Sequence, residues 1–402
     1  MVRERDELYV TVPSVFRCPI SLDVMRSPVS LCTGVTYDRS SIQHWLESGH
    51  DTCPATMQIL SNKDFTPNLT LHRLISTWSR PLTVSEREVG VLIDKVGSER
   101  ESETTCVDCL VKIAEFVSGC EENRRFLARY CGFLDTMVGV LRRNSVEIVV
   151  SESVVRVLDL ILIENGVKEK LNGLILKSNN NCLSSILKVV HKGSLDSKIK
   201  SIKLLDSISV DNESKRQLAE TEKLLSVLFD HLKTAEDQKL DDAILSILIT
   251  LSATRSVKTQ LVRLGLVQVL SNTLWNPKSA NPNIEKAIKL LSMIVTCSEG
   301  RSAVSEEPTC AAGIVERIMK VKKTAREDGM VVVWSMCCLY KDSRVKDAVV
   351  TSNGVTKMLL VMQSENEGIV RRMSGDLIKV LGKDNKYGLG VYDSKTTHIM
   401  PY

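Results

Sequence analysis

From Cys106 onward the chain carries apolar residues at helical spacing, and a signal that opens a helix recurs at a regular interval. Gly132, Gly265 and Gly354 each follow a turn and begin an apolar run, and they lie 133 and 89 residues apart. These gaps equal three and two units of about 44 residues, a period that is typical of stacked helical repeats. The pattern therefore predicts a long array of similar helical units.

Weaker copies of the same opening lie in the gaps between these glycines. They begin at Asn181, Glu222 and Ala312. We divide the segment into units at 106–147, 148–196, 197–237, 238–283, 284–324 and 325–368, followed by a partial cap that ends near residue 384. One helix, at residues 244–251, is apolar nearly all round and is expected to be buried on several sides.

Repeats of this length resemble armadillo or HEAT repeats. A single unit of this kind cannot bury its own apolar face, so neighbouring units stack and share one continuous core. The armadillo resemblance implies a right-handed superhelix whose long inner groove suits an extended segment of a partner protein. The regular tryptophan and asparagine array of nuclear import receptors is missing, so their ligand preference is not expected here.

Residues 14–78 have a different pattern, typical of a small mixed α+β unit. Asp38 and Asn68 each precede an apolar face at helical spacing, and each is predicted to cap a helix. Between Met25 and Tyr37, a Ser-Pro and a Thr-Gly step separate short β-prone runs, which predicts a hairpin. A unit of about 65 residues has a thin core and usually needs an added cross-link.

Zinc is the obvious cross-link, and the spacing of its ligands argues against it. Zinc-binding loops pair their ligands at Cys-x-x-Cys spacing, but Cys18 is followed at that spacing by Ser21 and Cys53 by Thr56. We therefore expect no metal and no cofactor. Six polar residues are then expected to cross-link the loops by hydrogen bonds and ion pairs, the alternative for each being a local cap or turn: Ser21, Asp23, Asp38, Arg39, Thr56 and Asn68.

Three motifs in this segment occur in the order and at the spacing of a known family. They are Phe16-Arg17-Cys18-Pro19-Ile20, Thr36-Tyr37-Asp38-Arg39 and Pro67-Asn68. The segment resembles a U-box, the zinc-free relative of the RING domain. The resemblance implies that two loops and a central helix form a shallow apolar groove. That groove recruits a ubiquitin-charged conjugating enzyme, and ubiquitin then passes directly to a lysine of a bound substrate.

The resemblance assigns the contacts with the conjugating enzyme to three positions. They are Ile20 in the first loop, Trp45 in the central helix and Pro54 in the second loop. The alternative is a core role for Ile20 and Trp45 and a turn role for Pro54. Many RING-like domains also carry an arginine where this chain has Met57, so either Gln58 substitutes or the closed conjugate is stabilised less. The resemblance implies no catalytic residue that forms a covalent intermediate.

Composition excludes other classes of function. The net charge is only +4 and no basic block stands out, so nucleic-acid binding is not indicated. No apolar run reaches the roughly 20 residues that span a bilayer. The twelve cysteines are scattered, mostly in apolar helical runs, which suits a reducing compartment. The charged N-terminus does not resemble a signal peptide, and we expect a cytoplasmic protein, with the nucleus as the second compartment.

The chain is therefore divided into a polar lead (1–13), a U-box (14–80), a linker (81–105), an armadillo-like array (106–384) and a tail (385–402). This order resembles that of plant U-box ubiquitin ligases with armadillo repeats, a mostly α fold. The resemblance implies a RING-type E3 transferase that marks substrates held by the array for degradation. The alternative is an armadillo adaptor whose U-box is non-catalytic, and homodimerisation through the U-box stays open.

The ligand spacing leads to the first prediction. Chelators should leave folding and ligase activity unchanged, because neither loop supplies a pair of zinc ligands. Elemental analysis of the purified protein, with and without prior chelation, is the measurement. Stoichiometric zinc that is lost together with folding would contradict it.

Overall fold

A computed structural model describes residues 12–78, 85–143, 146–176, 181–221, 223–364 and 368–383. Most of the expected lead, residues 79–84 around the start of the expected linker, and the expected tail lie outside the described residues. The chain divides into two compact units, Met1–Ser85 and Glu86–Tyr402. Each unit is described by itself.

The first unit contains a small antiparallel sheet and two helices: β1 (Pro28–Ser30), β2 (Thr36–Asp38), α1 (Arg39–Glu47), β3 (Thr66–Pro67) and α2 (Leu69–Trp78). Strands β1 and β2 form the predicted hairpin, with Val29 opposite Tyr37. Strand β3 pairs with the other side of β1, which gives the order β2-β1-β3. The third strand was not expected, because it is only two residues long and contains Pro67 at a sheet edge.

The core of the first unit is built from the buried faces of these elements and two loops. Val29, Tyr37 and Ile42 are fully buried, and each comes from a different strand or helix. The remaining core residues are Phe16, Cys18, Met25, Leu31, Cys53, Leu60 and Ile75. Ten buried residues make a thin core, so the polar contacts between the loops carry much of the folding specificity.

Helices alone make up the regular structure of the second unit within its described residues. They are α3 (Glu86–Gly97), α4 (Glu103–Ser118), α5 (Glu121–Arg129), α6 (Phe133–Arg142), α7 (Ile148–Ile161), α8 (Val167–Leu176), α9 (Asn181–Lys192), α10 (Leu195–Ile208), α11 (Asn212–Glu220), α12 (Leu224–Thr234), α13 (Gln238–Leu251), α14 (Arg255–Arg263), α15 (Leu266–Trp275), α16 (Asn281–Ile294), α17 (Ser298–Glu306), α18 (Thr309–Arg317), α19 (Lys323–Trp334), α20 (Ser343–Thr351), α21 (Gly354–Ser364) and α22 (Ile369–Lys383). Helix α19 continues into a π-helical turn at Ser335–Leu339.

Helices α5 to α22 form six groups of three. The third helices pack in one continuous ladder, α4–α7–α10–α13–α16–α19–α22. The second helices form another, α3–α6–α9–α12–α15–α18–α21. Helix α13 is buried on several sides, as expected for its apolar run, with Ile244, Leu248 and Leu251 fully buried. A mostly α fold with stacked three-helix repeats is therefore confirmed.

The glycines that revealed the repeat all stand at the same point of the three-helix group. Gly132 and Gly265 adopt the left-handed conformation immediately before the second helices α6 and α15. Gly354 is the first residue of the second helix α21. Of the weaker copies, Asn181 begins α9, Glu222 lies outside the described residues just before α12, and Ala312 falls inside α18.

The phase of the predicted units differs from the observed groups. The groups begin with their first helices at Glu121, Val167, Asn212, Arg255 and Ser298, and the last begins at Ser343. The predicted unit 106–147 therefore joins α4, which ends one group, to α5 and α6 of the next. A periodic signal fixes the repeat length but leaves the starting point free, so the predicted boundaries cut the groups at the wrong helix.

Helix α3 lies inside the segment 81–105, which was expected to be a linker. Its Val89, Ile93 and Val96 are buried, and it packs against α4 and α6. The Arg143 guanidinium donates to the carbonyls of Val96 and Gly97, at 3.1 and 2.8 Å, and so holds the end of the helix. The array therefore begins at Glu86 and not at Cys106.

The burial of α3 leads to the second prediction. Ile93→Ala should lower the stability of the array by about 2–4 kcal/mol, because it removes buried methylenes and leaves a cavity. Val91→Ala, on the same helix but 55% exposed, should change it by less than about 0.5 kcal/mol. Urea unfolding of the two variants is the comparison. If the two substitutions changed the stability of the array equally, α3 would be a linker and not part of the array.

Candidate functional site: the two knuckles of the first unit

Residues 17–24, here called the first knuckle, form a tight loop around a buried cysteine. The Cys18 amide donates to the Asp23 carbonyl and the Leu22 amide donates to the Cys18 carbonyl, both at 2.8 Å. Arg17 and Val24 form an antiparallel bridge that closes the loop. Leu22 takes a left-handed conformation, with φ of 60°.

The sulfur of Cys18 is the centre of this knuckle. It accepts the amide N–H of Asp38 at 3.3 Å, and further bonds come from the amides of Ser21 and Ile20 and the hydroxyl of Ser41. Burial opposes ionisation of the thiol, but these donors outweigh it and lower the pKa of Cys18. A single sulfur therefore ties the loop to the start of helix α1.

Residues 52–59, here called the second knuckle, repeat this geometry. The Cys53 amide donates to the Gln58 carbonyl and the Met57 amide donates to the Cys53 carbonyl, again both at 2.8 Å. Thr52 and Ile59 form the closing bridge. Met57 is left-handed, with φ of 57°. The two knuckles are thus the same structure built twice, from Cys-Pro-Ile-Ser-Leu and Cys-Pro-Ala-Thr-Met.

The sulfur of Cys53 is surrounded by hydroxyl groups. The Thr33 hydroxyl lies 3.3 Å from it and the Tyr37 hydroxyl 3.0 Å. Because the Tyr37 oxygen accepts the Ala55 amide, its own proton is free to point at the sulfur. Burial opposes ionisation, but the hydroxyls of Thr33, Thr56 and Tyr37 lower the pKa of Cys53 to about 6. Burial also raises the pKa of Tyr37, which therefore keeps its proton and acts as a donor.

Asp38 connects the first knuckle to helix α1 in a way that differs from the prediction. It precedes the helix, but its side chain does not cap the backbone of α1. Instead one carboxylate oxygen accepts the amides of Arg26 and Ser27, at 2.7 and 2.8 Å, and the other accepts the Ser40 hydroxyl. Burial opposes ionisation, but these bonds, led by the Ser27 amide, lower the pKa of Asp38. The predicted cross-link is present and the predicted cap is not.

Asn68 both caps a helix and cross-links the sheet. Its Oδ1 accepts the Leu71 amide at 3.0 Å in the first turn of α2, so the predicted cap is confirmed. Its Nδ2 donates to the hydroxyls of Ser30 and Thr36, at 3.4 and 3.3 Å. One side chain therefore fixes α2 to both strands of the hairpin.

The other four residues predicted to cross-link the loops make different kinds of contact. Arg39 lies over the Phe65 ring, 5.2 Å from its centroid, and joins α1 to the segment before β3 by a cation–π contact in place of the expected ion pair. Thr56 bonds only within its own knuckle, to Cys53. The Ser21 oxygen accepts only the Asp23 amide, at 3.4 Å, and the Asp23 carboxylate has no bond within the described part of the chain. For Ser21 and Asp23 the local-turn alternative is therefore correct, and the expected side-chain cross-link is wrong.

The three positions assigned to the conjugating enzyme are all half-buried. Ile20 and Trp45 pack against the same core, and Pro54 follows the buried Cys53. The Trp45 indole donates to the Thr52 carbonyl at 2.9 Å, which fixes it to the second knuckle, and His50 stacks on its ring at 3.9 Å between centroids. Each of these side chains is thus partly buried and still partly exposed to solvent.

Sequence reasoning missed two groups of residues at this site. The first is the pair Leu22 and Ile59, which are 66% and 81% exposed. They form an apolar set at or beside the turns of the two knuckles together with Met57, which is 69% exposed and was singled out from the sequence for a different reason. The second is the donor set of Thr33, Tyr37 and Ser41 around the two sulfurs. The internal repeat Cys-Pro-x-Ser/Thr-Leu/Met was the signal that pointed to the first set.

The described residues contain no group of three or more His, Cys, Asp or Glu side chains placed to hold a metal ion. In the same residues, no helix is both long and apolar enough to cross a membrane.

The fold and these sulfur-centred knuckles define a U-box joined to an armadillo-type array, and comparison with known proteins agrees. Residues 12–81 match the U-box domain family, and residues 88–399 match the family described as the plant U-box protein ARM repeat region. The chain therefore belongs to the plant U-box proteins with armadillo repeats, a family of E3 ubiquitin ligases.

Relatives and solved structures give the same result. U-box domain-containing proteins 29 and 28 of Arabidopsis thaliana are each 40% identical, covering 100% and 99% of both chains. The Arabidopsis E3 ubiquitin-protein ligase PUB23 is 26% identical over 92% of this chain and 93% of its own. A structure from work on the cadherin–β-catenin interaction matches with a TM-score of 0.62, at 14% identity, over 78% of this chain and 58% of that one. An engineered protein matches with a TM-score of 0.56, at 15% identity, over 73% and 68%. These two structures support the fold alone.

The pKa of Cys53 leads to the third prediction. The folded thiol ionises near pH 6, but an ordinary thiol ionises near pH 9. Between these values the unfolded chain binds the extra proton, so U-box stability should rise with pH by up to about 1.4 kcal/mol per pH unit. The stabilisation should be complete above pH 9 and lost as the pH falls through 6. Denaturant unfolding of residues 1–85 at pH 6, 7.5 and 9 measures this slope.

The control is Cys53→Ser, which removes the titrating group and keeps a small polar atom. Thr33→Val tests the donor set, because it removes one hydroxyl and preserves the shape of the side chain. Both variants should show a flatter pH dependence than the parent unit. An unchanged slope in Cys53→Ser would show that another group is responsible.

Proposed function

We propose that the U-box recruits a ubiquitin-charged conjugating enzyme and promotes direct transfer of ubiquitin to lysines of substrates that the armadillo array binds. The transfer marks those substrates for degradation. Ile20, Trp45 and Pro54 are the proposed contacts with the conjugating enzyme. We place the protein in the cytoplasm, with the nucleus as a second location.

The observation that carries this proposal is the construction of the two knuckle turns. Each holds a bulky apolar side chain, Leu22 or Met57, in a left-handed conformation that costs about 1–2 kcal/mol outside glycine. Each side chain is also mostly exposed to water. Backbone strain clusters at functional sites, and an exposed apolar side chain held there is available to a partner. The half-buried Ile20 and Pro54 lie in these same loops.

The array supplies the second part of the proposed function. The ladder of third helices extends from α4 to α22, a continuous surface built from seven helices. Surfaces of this kind in stacked repeats suit extended segments of partner proteins. The described part of the first unit is much smaller, with ten buried residues in its core. Substrate selection is therefore assigned to the array and the transfer activity to the U-box.

The proposed reaction needs no nucleophile from this chain. The amine of the substrate lysine attacks the thioester carbonyl of the charged conjugating enzyme. A C–N bond forms, the C–S bond breaks, the amine loses a proton and the enzyme's cysteine leaves as the thiolate. This chain contributes proximity and orientation, which convert a bimolecular step into an effectively unimolecular one.

Four of the cysteines are unsuited to the other class of ligase, in which ubiquitin first forms a thioester with the ligase. Burial raises the pKa of Cys182 and Cys337 to about 12 and that of Cys338 to about 11, so these thiols are poor nucleophiles at neutral pH. Cys53 has a low pKa but is fully buried under its hydroxyl donors. None of these four thiols is both ionised and accessible.

Met57 occupies the position where many RING-like domains use an arginine to hold ubiquitin. Its thioether has no hydrogen to donate, and the exposed side chain of Gln58 is the adjacent group that has one. Two alternatives follow: Gln58 substitutes for the arginine, or the closed conjugate is held less firmly and transfer is slower. Both are compatible with the proposed class of ligase.

The recruiting surface leads to the fourth prediction. Trp45→Ala should abolish most autoubiquitination by the full chain, because truncating an aromatic anchor at a small interface commonly costs about 2 kcal/mol or more. Ile20→Ala should cost somewhat less. Leu74→Ala is the matched control, since it removes an exposed apolar side chain, 54% exposed, from helix α2. The assay is ligation with purified conjugating enzyme and ubiquitin.

Trp45 also donates a hydrogen bond to Thr52, so a folding defect must be separated from a recruiting defect. Trp45→Phe retains the aromatic anchor and loses the indole N–H, and the thermal unfolding of all variants is recorded beside the assay. Full ligation by folded Trp45→Ala and Ile20→Ala proteins would show that these side chains do not form the recruiting surface. No ligation by the folded parent protein would favour the alternative, an adaptor with a non-catalytic U-box.

A further inference from the structure

A cavity of about 410 Å³ opens in the array where helices α12, α13 and α15 meet. Phe229 and Leu232 of α12, both buried, give it apolar walls. Gln268 and Asn272 of α15 are exposed at its edge, and neither side chain makes a hydrogen bond within the described residues. Asp241, in the first turn of α13, also lines it. The cavity thus combines an apolar wall, free amide groups and one carboxylate.

The carboxylate of Asp241 is not compensated by the chain around it. Its Oδ1 is buried and has no hydrogen-bond partner in the described structure. Burial, and then the charge of Asp237, raises the pKa of Asp241 to about 6. The side chain as a whole is half-buried. A carboxylate oxygen that is buried without a partner is costly, and proteins normally pair such an oxygen with a cation or with hydrogen-bond donors. No such group from the described chain contacts it.

The acidic residues beside Asp241 have partners, so the missing partner is particular to Asp241. Asp242, the next residue, is paired with the Lys286 ammonium at 2.5 Å. Asp237 accepts the amides of Lys239 and Leu240 as the N-cap of α13. Lys233 is the cation of the described chain that lines the same cavity, and it is exposed and forms no ion pair there. The cavity therefore contains an acidic group whose counter-charge is missing.

We propose that this cavity receives an arginine side chain from a protein partner, whose guanidinium pairs with Asp241. The planar guanidinium has five N–H donors and is weakly hydrated, so it suits a carboxylate next to apolar walls. Its remaining donors match the amide oxygens of Gln268 and Asn272, and its methylene stem matches Phe229 and Leu232. The C-terminal end of helix α12, which stops at Thr234 beside the cavity, adds a partial negative charge.

The charge and the shape of the cavity indicate that the arginine belongs to a peptide segment. The open edge with its unpaired amides suits a residue that arrives on a peptide chain, since a backbone offers further donors and acceptors. This site is independent of the U-box, so its failure would leave the proposed ligase function untouched.

The first experiment compares Asp241→Asn with Asp242→Asn in the full chain. Above pH 7, Asp241→Asn should raise the melting temperature, because it removes a half-buried charge whose Oδ1 has no partner. At pH 5 this gain should disappear as the parent carboxyl becomes protonated. Asp242→Asn should lower the melting temperature, because it removes the ion pair with Lys286. A lower melting temperature for Asp241→Asn at pH 8 would show that the carboxylate is satisfied internally, and this would overturn the proposal.

The second experiment measures the pairing itself. n-Butylguanidinium should raise the melting temperature of the parent and of Asp242→Asn saturably, but not that of Asp241→Asn, and the neutral isostere n-butylurea should have no such effect on any of them. Lys233→Ala should strengthen the response, because it removes a competing positive charge from the cavity wall. Equal responses of the parent and Asp241→Asn would overturn the proposal.

The third experiment tests the peptide. A pool of heptapeptides with a central arginine and uncharged, randomised flanks is compared with a matched pool that carries citrulline at the centre. The immobilised parent should retain the arginine pool several-fold more strongly, and this ratio should fall to about one in Asp241→Asn. If n-butylguanidinium binds but the arginine pool shows no preference, the site takes a small free cation and the proposed protein partner is wrong.

Discussion

Hydrogen bonds to two buried sulfurs organise the U-box. Cys18 and Cys53 are fully buried, and each gathers donors from its own knuckle and from a distant segment: the Asp38 amide in one case, the Thr33 and Tyr37 hydroxyls in the other. In a zinc-binding loop the metal would collect ligands from both segments. Here each sulfur accepts hydrogen bonds from both segments, and these bonds hold the knuckle against the rest of the unit.

The array is held by a different principle. Its helices are mostly short, and nine or ten residues are too few to be stable alone in water. Stability comes from the ladders of second and third helices, in which each helix buries its apolar face against its counterparts in the neighbouring groups. Helix α3 follows this rule at the start of the array: it has no complete group of its own, but α4 and α6 cover its buried face.

The parts that could be predicted from sequence depend on periodicity. The helical faces after Asp38 and Asn68, the hairpin and the 44-residue repeat were all visible, because side chains alternate or recur along one element. The missed parts depend on contacts between distant segments. Strand β3 has only two residues, and the side chain of Asp38 turns from its own helix to the amides of Arg26 and Ser27. Helix α3 resembled a linker because its apolar residues are few and a polar run follows them.

The knuckle turns and Asp241, where function is proposed, are also sites where the residue type does not suit its local environment. Leu22 and Met57 hold exposed apolar side chains on a left-handed backbone, where glycine would be less strained and a polar residue better hydrated. Asp241 keeps one buried carboxylate oxygen without a partner, although Asp242 beside it is paired. Each feature has a cost in free energy. A second molecule that covered the knuckle turns would remove exposed apolar surface from water, and one that brought a cation to the cavity would compensate the carboxylate. In both proposals, groups that the chain leaves unsatisfied supply the affinity for a partner.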